Sequence, residues 1–240
     1  MDDGVSQTSQ RVGGSVTERL PGQNDVDLLH GDRSTEEDRD RLEGILEEFR
    51  TGFDALRNIG PCVTFFGSAR FGEEHQYYRL ARATAAAFGG AGFAIMTGGG
   101  PGVMEAANRG ATDVGALSIG CAIDLPREQA TNGYVDQVID FRHFYARKVM
   151  LVRYSQAFVL MPGGFGTLDE VFETATLIQT GKILSFPMVL MGVEFWEPIT
   201  HFVTESLIRE ATIDAEDREL FYLTDDPDEA VGYVLARLSS

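Results

Sequence analysis

The chain is short of positive charge: 20 lysines and arginines face 37 aspartates and glutamates, a formal net charge of −17. It also has only two cysteines and four histidines in 240 residues. Each scarcity excludes something. Two cysteines cannot build a disulfide framework, and Cys62 and Cys121 both fall inside apolar runs, where buried free thiols are the expected state. His30, His75, His143 and His201 are scattered, with no HExxH and no paired CxxC, so the spacing of a metal centre is missing and no metal is expected. The basic deficit opposes extended contact with DNA, RNA or an anionic membrane, surfaces that need clustered cations. No apolar run approaches the ~20 residues that span a bilayer, and the acidic opening MDDGVSQTSQ lacks the basic and apolar regions of a secretory signal. A cytoplasmic protein is the expectation. A small phosphorylated ligand stays compatible, because a local cation and a ring of backbone N–H groups outweigh a distant negative surface.

What the chain has in quantity is glycine, 27 residues, and the glycines cluster where apolar runs end. Thr97-Gly98-Gly99-Gly100-Pro101-Gly102 follows the apolar stretch Phe93 to Met96, and Pro162-Gly163-Gly164-Phe165-Gly166-Thr167 follows Ala157 to Met161. An amphipathic segment comes after each. The order reads as buried strand, tight turn, then a helix whose free N–H groups face the turn, which is a place to hold a phosphate. Neither turn has the GxGxxG spacing of a dinucleotide site or the Gly-Lys-Ser/Thr of a P-loop, which argues against NAD and against ATP bound in that fashion. The plain alternative is tight strand-to-helix packing, and the residues alone leave it open. Asp169 and Glu170 open the helix after the second turn; they are either a solvated acidic pair favoured by the helix dipole or a site carboxylate. Arg147 and Lys148 are the cationic candidates, and adjacent helix positions diverge by ~100°, so the two do not enter one pocket in the same way.

Along the chain, residues 1–33 lack periodicity and read as a flexible tail. Residues 34–60 read as an amphipathic helix opened by a capping box, Ser34 with Glu37, and carrying the apolar stripe Leu42, Ile45, Leu46, Phe49, Phe53, Leu56 and Ile59. That stripe must pack on the body or on another subunit. Residues 61–240 alternate strands with helices, as a Rossmann-like, doubly wound α/β domain does, with a mostly parallel sheet and helices on both faces. Strands are expected near 62–67, 93–97, 115–121, 135–140, 157–161, 187–191 and 220–223, with helices near 73–89, 102–112, 143–154, 166–180, 196–212 and 227–238. Ligands gather at the C-terminal ends of parallel strands, where Gly67-Ser68-Ala69-Arg70 and both glycine turns fall. Asp124 to Gly133 is a polar loop long enough to lie over a pocket.

Taken jointly, these residues resemble a known family. Pro162-Gly163-Gly164-Phe165-Gly166-Thr167-Leu168-Asp169-Glu170 is similar to the PGGxGTxxE signature of the LONELY GUY family, long labelled possible lysine decarboxylases. The likeness extends in the family order to Phe66-Gly67-Ser68-Ala69-Arg70, to Gly98 through Ala106, and to Arg147-Lys148, covering roughly Cys62 to Glu210. It implies a phosphoribohydrolase that cleaves the N-glycosidic bond of a nucleoside 5'-monophosphate, AMP or an N6-substituted AMP, to free base and ribose 5-phosphate. It implies no cofactor, and a homodimer at least, with the Arg147 helix near the subunit boundary. By the same resemblance Arg147 and Glu170 are the catalytic pair, and Gly163, Gly164, Gly166 and Thr167 bind the phosphate. Ser68, Arg70, Gly99, Gly100 and Met104 then line the nucleotide site, Glu105 touches ribose or base, and Lys148 joins the substrate-binding set. The N-terminal extension departs from the shortest members and is similar to a longer subgroup. A non-enzymatic carrier of a phosphorylated ligand, such as those that bind molybdenum cofactor, is the rival reading.

Overall fold

The computed structural model describes residues 10–12, 35–124, 131–184 and 186–239. Among the described residues eight strands form one sheet: β1 Gln10–Val12, β2 Cys62–Phe66, β3 Ala94–Thr97, β4 Ser118–Ile123, β5 Gln137–Phe141, β6 Ala157–Leu160, β7 Met188–Met191 and β8 Phe221–Thr224. Their order is β1-β5-β4-β3-β2-β6-β7-β8, and every pairing is parallel. The helices are α1 Thr35–Leu56, α2 Gln76–Gly90, α3 Val103–Asp113, α4 Phe144–Arg153, α5 Phe165–Gln179, α6 Val193–Phe202 and α7 Pro227–Leu238. This is the Rossmann-like arrangement the alternating pattern predicts.

The strands carry near-continuous apolar runs because both faces of the sheet are covered. Along β2, Val63 and Phe65 point into a core shared with α2, α3 and α7, whereas Cys62 points into a second core with Leu56 of α1 and Ala146, Met150 and Leu151 of α4. A third cluster, built on Phe158, Leu160 and Leu190, is closed by Val171 of α5 and Trp196 of α6. Both cysteines are buried and free, and burial pushes the Cys121 thiol up to about 12 against the opposing charge of Arg147.

Strand order fixes where the site lies. The chain leaves β2 toward β3, β4 and β5 on one side, then returns to place β6, β7 and β8 on the other. The connections therefore part company at β2, and a crevice opens beyond the C-terminal ends of β2, β3 and β6.

Several features bear on the sequence expectations, among them the helix expected near 196–212, which is α-helical only over Val193–Phe202 and continues as a π-helix over Val203–Ile208. A strand at Gln10–Val12 lies within the segment expected to be a flexible tail, pairing with Gln137–Ile139 along the outer side of β5. A tail without periodicity gives no strand signal, but an unpaired edge offers a row of partners; the rest of the tail, with Ser34 of the expected capping box, lies outside the described residues. The expected strand at 115–121 is shifted to Ser118–Ile123, because Gly115 takes φ +70° in the turn after α3. Within this chain the body covers only part of the α1 stripe: Leu42 and Leu46 are 65% and 48% exposed, while Arg41, Gly52 and Leu56 face inward, and of the two expected partners for the stripe the body takes Leu56.

Candidate active site

Three turns meet at the crevice and lock to one another through the backbone. The turn after β2 is held by Ser68 N donating to the Pro162 carbonyl (3.0 Å), and the Ser68 carbonyl accepts from Val103 N (3.0 Å) at the start of α3. Glycines make this closeness possible. Gly102 has φ +72°, and a Cβ there would run into the Ser68 carbonyl and the Ala69 backbone. A Cβ on Gly98 would meet the Arg147 guanidinium and Met104 Sδ, and one on Gly163 would strike Thr167 Oγ1. Beneath the triple glycine, Thr97 Oγ1 accepts from Gly99 N (2.8 Å) and donates to Asn108 Oδ1 (2.7 Å). Asn132 Nδ2 donates to the Gly99 and Gly100 carbonyls (3.1 and 2.9 Å), tying the end of the polar loop to the turn.

Gly164 and Gly166 are different. A Cβ at either position meets nothing within 4 Å. Packing gives no reason for glycine there; what the missing side chains leave is clear space at the N-terminus of α5, where the first N–H groups of the helix have no intrahelical acceptor.

A cavity of about 710 Å³ opens above these turns. It brings together Ser68, Arg70, Met104, Arg147, Gly163, Gly164, Gly166, Thr167 and Glu170, nine of the sequence-derived site residues. Four others stand back from it. Gly99 packs against the Gly120 backbone, and Gly100 is engaged by Asn132. Glu105 Oε1 accepts from Tyr78 Oη (2.9 Å). Lys148 turns to the far side of α4, where Nζ lies 2.6 Å from both Asp169 Oδ2 and Glu173 Oε2. The divergence of adjacent helix positions thus sends Arg147 into the cavity and Lys148 to α5. Sequence reasoning missed the aromatic lining, Phe71, Phe144, Phe165 and Phe195. Phe165 sits inside the quoted motif and is 92% exposed; Phe195 is brought in only by the return of the chain through β7, which no local pattern reveals.

The charges are unevenly satisfied. Arg147 Nε donates to the Cys121 carbonyl (2.7 Å) within β4. Burial lowers its pKa, opposed by Cys121 and Glu170, yet a guanidinium stays charged. Glu170 is buried, and its Oε2 has no hydrogen-bond partner. Desolvation is the largest influence on it and raises its pKa to about 7; Lys148 and Arg147 pull it down while Glu173 and Asp169 push it up. Asp169, Glu170 and Glu173 bring carboxylate oxygens within 4.8 Å of one another, but the Lys148 ammonium already bridges two of the three.

The family model described as possible lysine decarboxylase matches residues 104–234, more than half of the chain, from α3 to α7 and including Arg147 and Glu170. The chain belongs to this family. It is the LONELY GUY family, whose curated members carry the name: the cytokinin riboside 5'-monophosphate phosphoribohydrolase LOG of Oryza sativa subsp. japonica is 33% identical over 112 residues, 45% of this chain and 46% of that protein. Cytokinin riboside 5'-monophosphate phosphoribohydrolase LOG4 of Arabidopsis thaliana is 30% identical over 129 residues, 52% of this chain and 59% of that one. The chain thus spans about half the length of these curated relatives. Among solved structures, the molybdenum cofactor carrier protein of Chlamydomonas reinhardtii superposes with a TM-score of 0.53 at 24% identity, covering 75% of this chain and 99% of that one. At that identity the likeness is one of fold.

Proposed function

We propose that this LONELY GUY family chain is a phosphoribohydrolase that cleaves the N-glycosidic bond of a purine nucleoside 5'-monophosphate, AMP or an N6-substituted AMP, by water. The observation that carries the reading is a buried carboxylate with an unpartnered oxygen, Glu170, one helical turn beyond an uncrowded glycine cradle for a phosphate. In this reading the 5'-phosphate sits on the N-terminus of α5 at Gly164 to Thr167, and the ribose extends toward Glu170. As the C1'–N9 bond breaks, the electron pair leaves with the purine and positive charge develops on the ribose ring. Ionised Glu170 stabilises that charge and takes a proton from the attacking water, whose oxygen bonds to C1'. The purine nitrogen is protonated as it leaves, through water or another residue. Arg147, too basic to serve as an acid, holds the phosphoribosyl portion. Phosphate binding is remote from the bond broken, so its energy is used to orient the sugar.

A carrier is disfavoured by the same carboxylate. Beside a bound phosphate, a buried acid repels the ligand and gives a mere binding protein nothing in return. Nor does Lys148 suit the Schiff base that a pyridoxal-phosphate decarboxylase requires. Burial lowers its pKa, but the hydrogen bonds to Asp169 and Glu173 outweigh this and raise it, keeping the amine charged and not nucleophilic.

The test is a panel of nucleoside 5'-monophosphates, purine and pyrimidine, with chromatography for released base. Adenine or an N6-substituted adenine is expected from its monophosphate, with the unphosphorylated nucleoside slower by about 100-fold or more. Intact nucleotides throughout, or tight binding without release, would sink the hydrolase in favour of the carrier.

A further inference from the structure

Helix α4, which carries Arg147, has no capping side chain of its own: the N-cap His143 makes no side-chain cap bond, and no acidic residue stands in the first turn. The cap comes from α1. Glu48 Oε2 accepts from the backbone N–H groups of Arg142 (3.2 Å) and His143 (3.3 Å), and its Oε1 lies 2.8 Å from His143 Nδ1. The two side chains themselves are only 10% and 3% exposed. A carboxylate placed there accepts from two backbone donors at the start of the helix and faces the positive end of the helix dipole.

Ten residues are too few for a helix to hold itself, so the direction of α4 is set by what grips it. Arg147 lies one turn from the Glu48 contact, with its N–H on the His143 carbonyl (3.2 Å). The far end of α4 is also tied to α1, by Tyr154 Oη donating to the Phe53 carbonyl (3.3 Å) and by Met150 lying against Gly52. We propose that Glu48 is a positioning residue for Arg147, anchoring the start of α4 so that the guanidinium enters the cavity. The inference rests on the functional reading above. It gives a task to α1, which precedes the family-matched region beginning at residue 104.

Glu48→Ala leaves two backbone donors and His143 Nδ1 without their acceptor. Glu48→Gln keeps one oxygen for the backbone pair, and its amide donates to Nδ1 in the other imidazole tautomer, so it should rescue. Hydrogen–deuterium exchange of the full chain should show residues 142–153 exchanging roughly tenfold faster in Glu48→Ala, with α2 and the central strands unchanged. With AMP, kcat should fall by about tenfold or more while KM moves less than about threefold, and Glu48→Gln should stay within about threefold of the parent in both. Unchanged exchange over 142–153, exchange accelerated throughout the sheet, or parental kcat in Glu48→Ala would each overturn the proposal. Should Glu48→Ala fail to fold, Glu48→Asp, one methylene shorter, is compared with Glu48→Gln in the same way. If the parent releases no base from any nucleotide, the hydrolase reading fails, and the exchange comparison still decides whether Glu48 holds α4.

Discussion

Glu170 is kept in a state that an unfolded chain would not tolerate equally. Its pKa rises from 4.5 to about 7 on folding, so between those values the native state holds a proton that the unfolded state has released. Stability therefore falls as pH climbs through that window, and above it the folded protein carries the whole cost of a buried charge, on the order of 3 kcal/mol. Glu170→Gln removes the charge and keeps the shape. Thermal unfolding should find the variant more stable than the parent at pH 8 and close to it at pH 4, while base release from AMP drops by about 100-fold or more. A variant that turns over like the parent, or that gains nothing at pH 8, contradicts the assignment. That Arg147 and Glu170 would line one cavity was legible through the family resemblance, because each belongs to a motif that carries it. Glu48 was not, since its partner His143 lies 95 positions away and each residue alone reads as an ordinary polar residue on a helix.

At the scale of elements, the glycines divide into two physical kinds. Gly102 is needed by the backbone: its positive φ and the nearness of the Ser68 carbonyl leave no room for a side chain. Gly164, at φ −92° and with nothing around it, is not. Gly102→Ala should lower the denaturant midpoint by an amount equivalent to about 2–4 kcal/mol. Gly164→Ala should leave that midpoint within about 0.5 kcal/mol of the parent yet depress kcat/KM for AMP, because in the proposed reading the space it fills is the phosphate's. Equal stability losses in the two would mean that both are packing glycines. The strands were readable from their apolar runs, since a sheet covered on both faces writes itself as continuous hydrophobicity. What could not be read was rotation: the stripe of α1 left open whether Leu42 and Leu46 meet the body or another subunit, and within this chain both are exposed while Glu48 faces His143.

For the molecule as a whole, no helix among the described residues is long and apolar enough to cross a membrane. Despite its acidity, the chain brings two arginines, Arg70 and Arg147, to the cavity beside the helix N-terminus. The outer face of α5 carries Phe165, Leu168 and Phe172 around an open depression of about 680 Å³, with Phe165 92% exposed. An apolar surface of that kind beside the site fits the two-copy assembly that the family resemblance implies. Sedimentation should give a dimer mass for the parent and a monomer for Phe172→Asp; a monomeric parent refutes the assembly.

The position of β2 in the sheet also orders events in time. It is the first strand of the main domain to be made, yet it ends flanked by β3 and β6, with Val63 paired to Ile95 on one side and Ala157 on the other. During synthesis one edge of this strand must wait until most of the chain has emerged, and the three turns meet only after it closes. A refolding sample should regain its helical signal before the cavity at the three turns is complete.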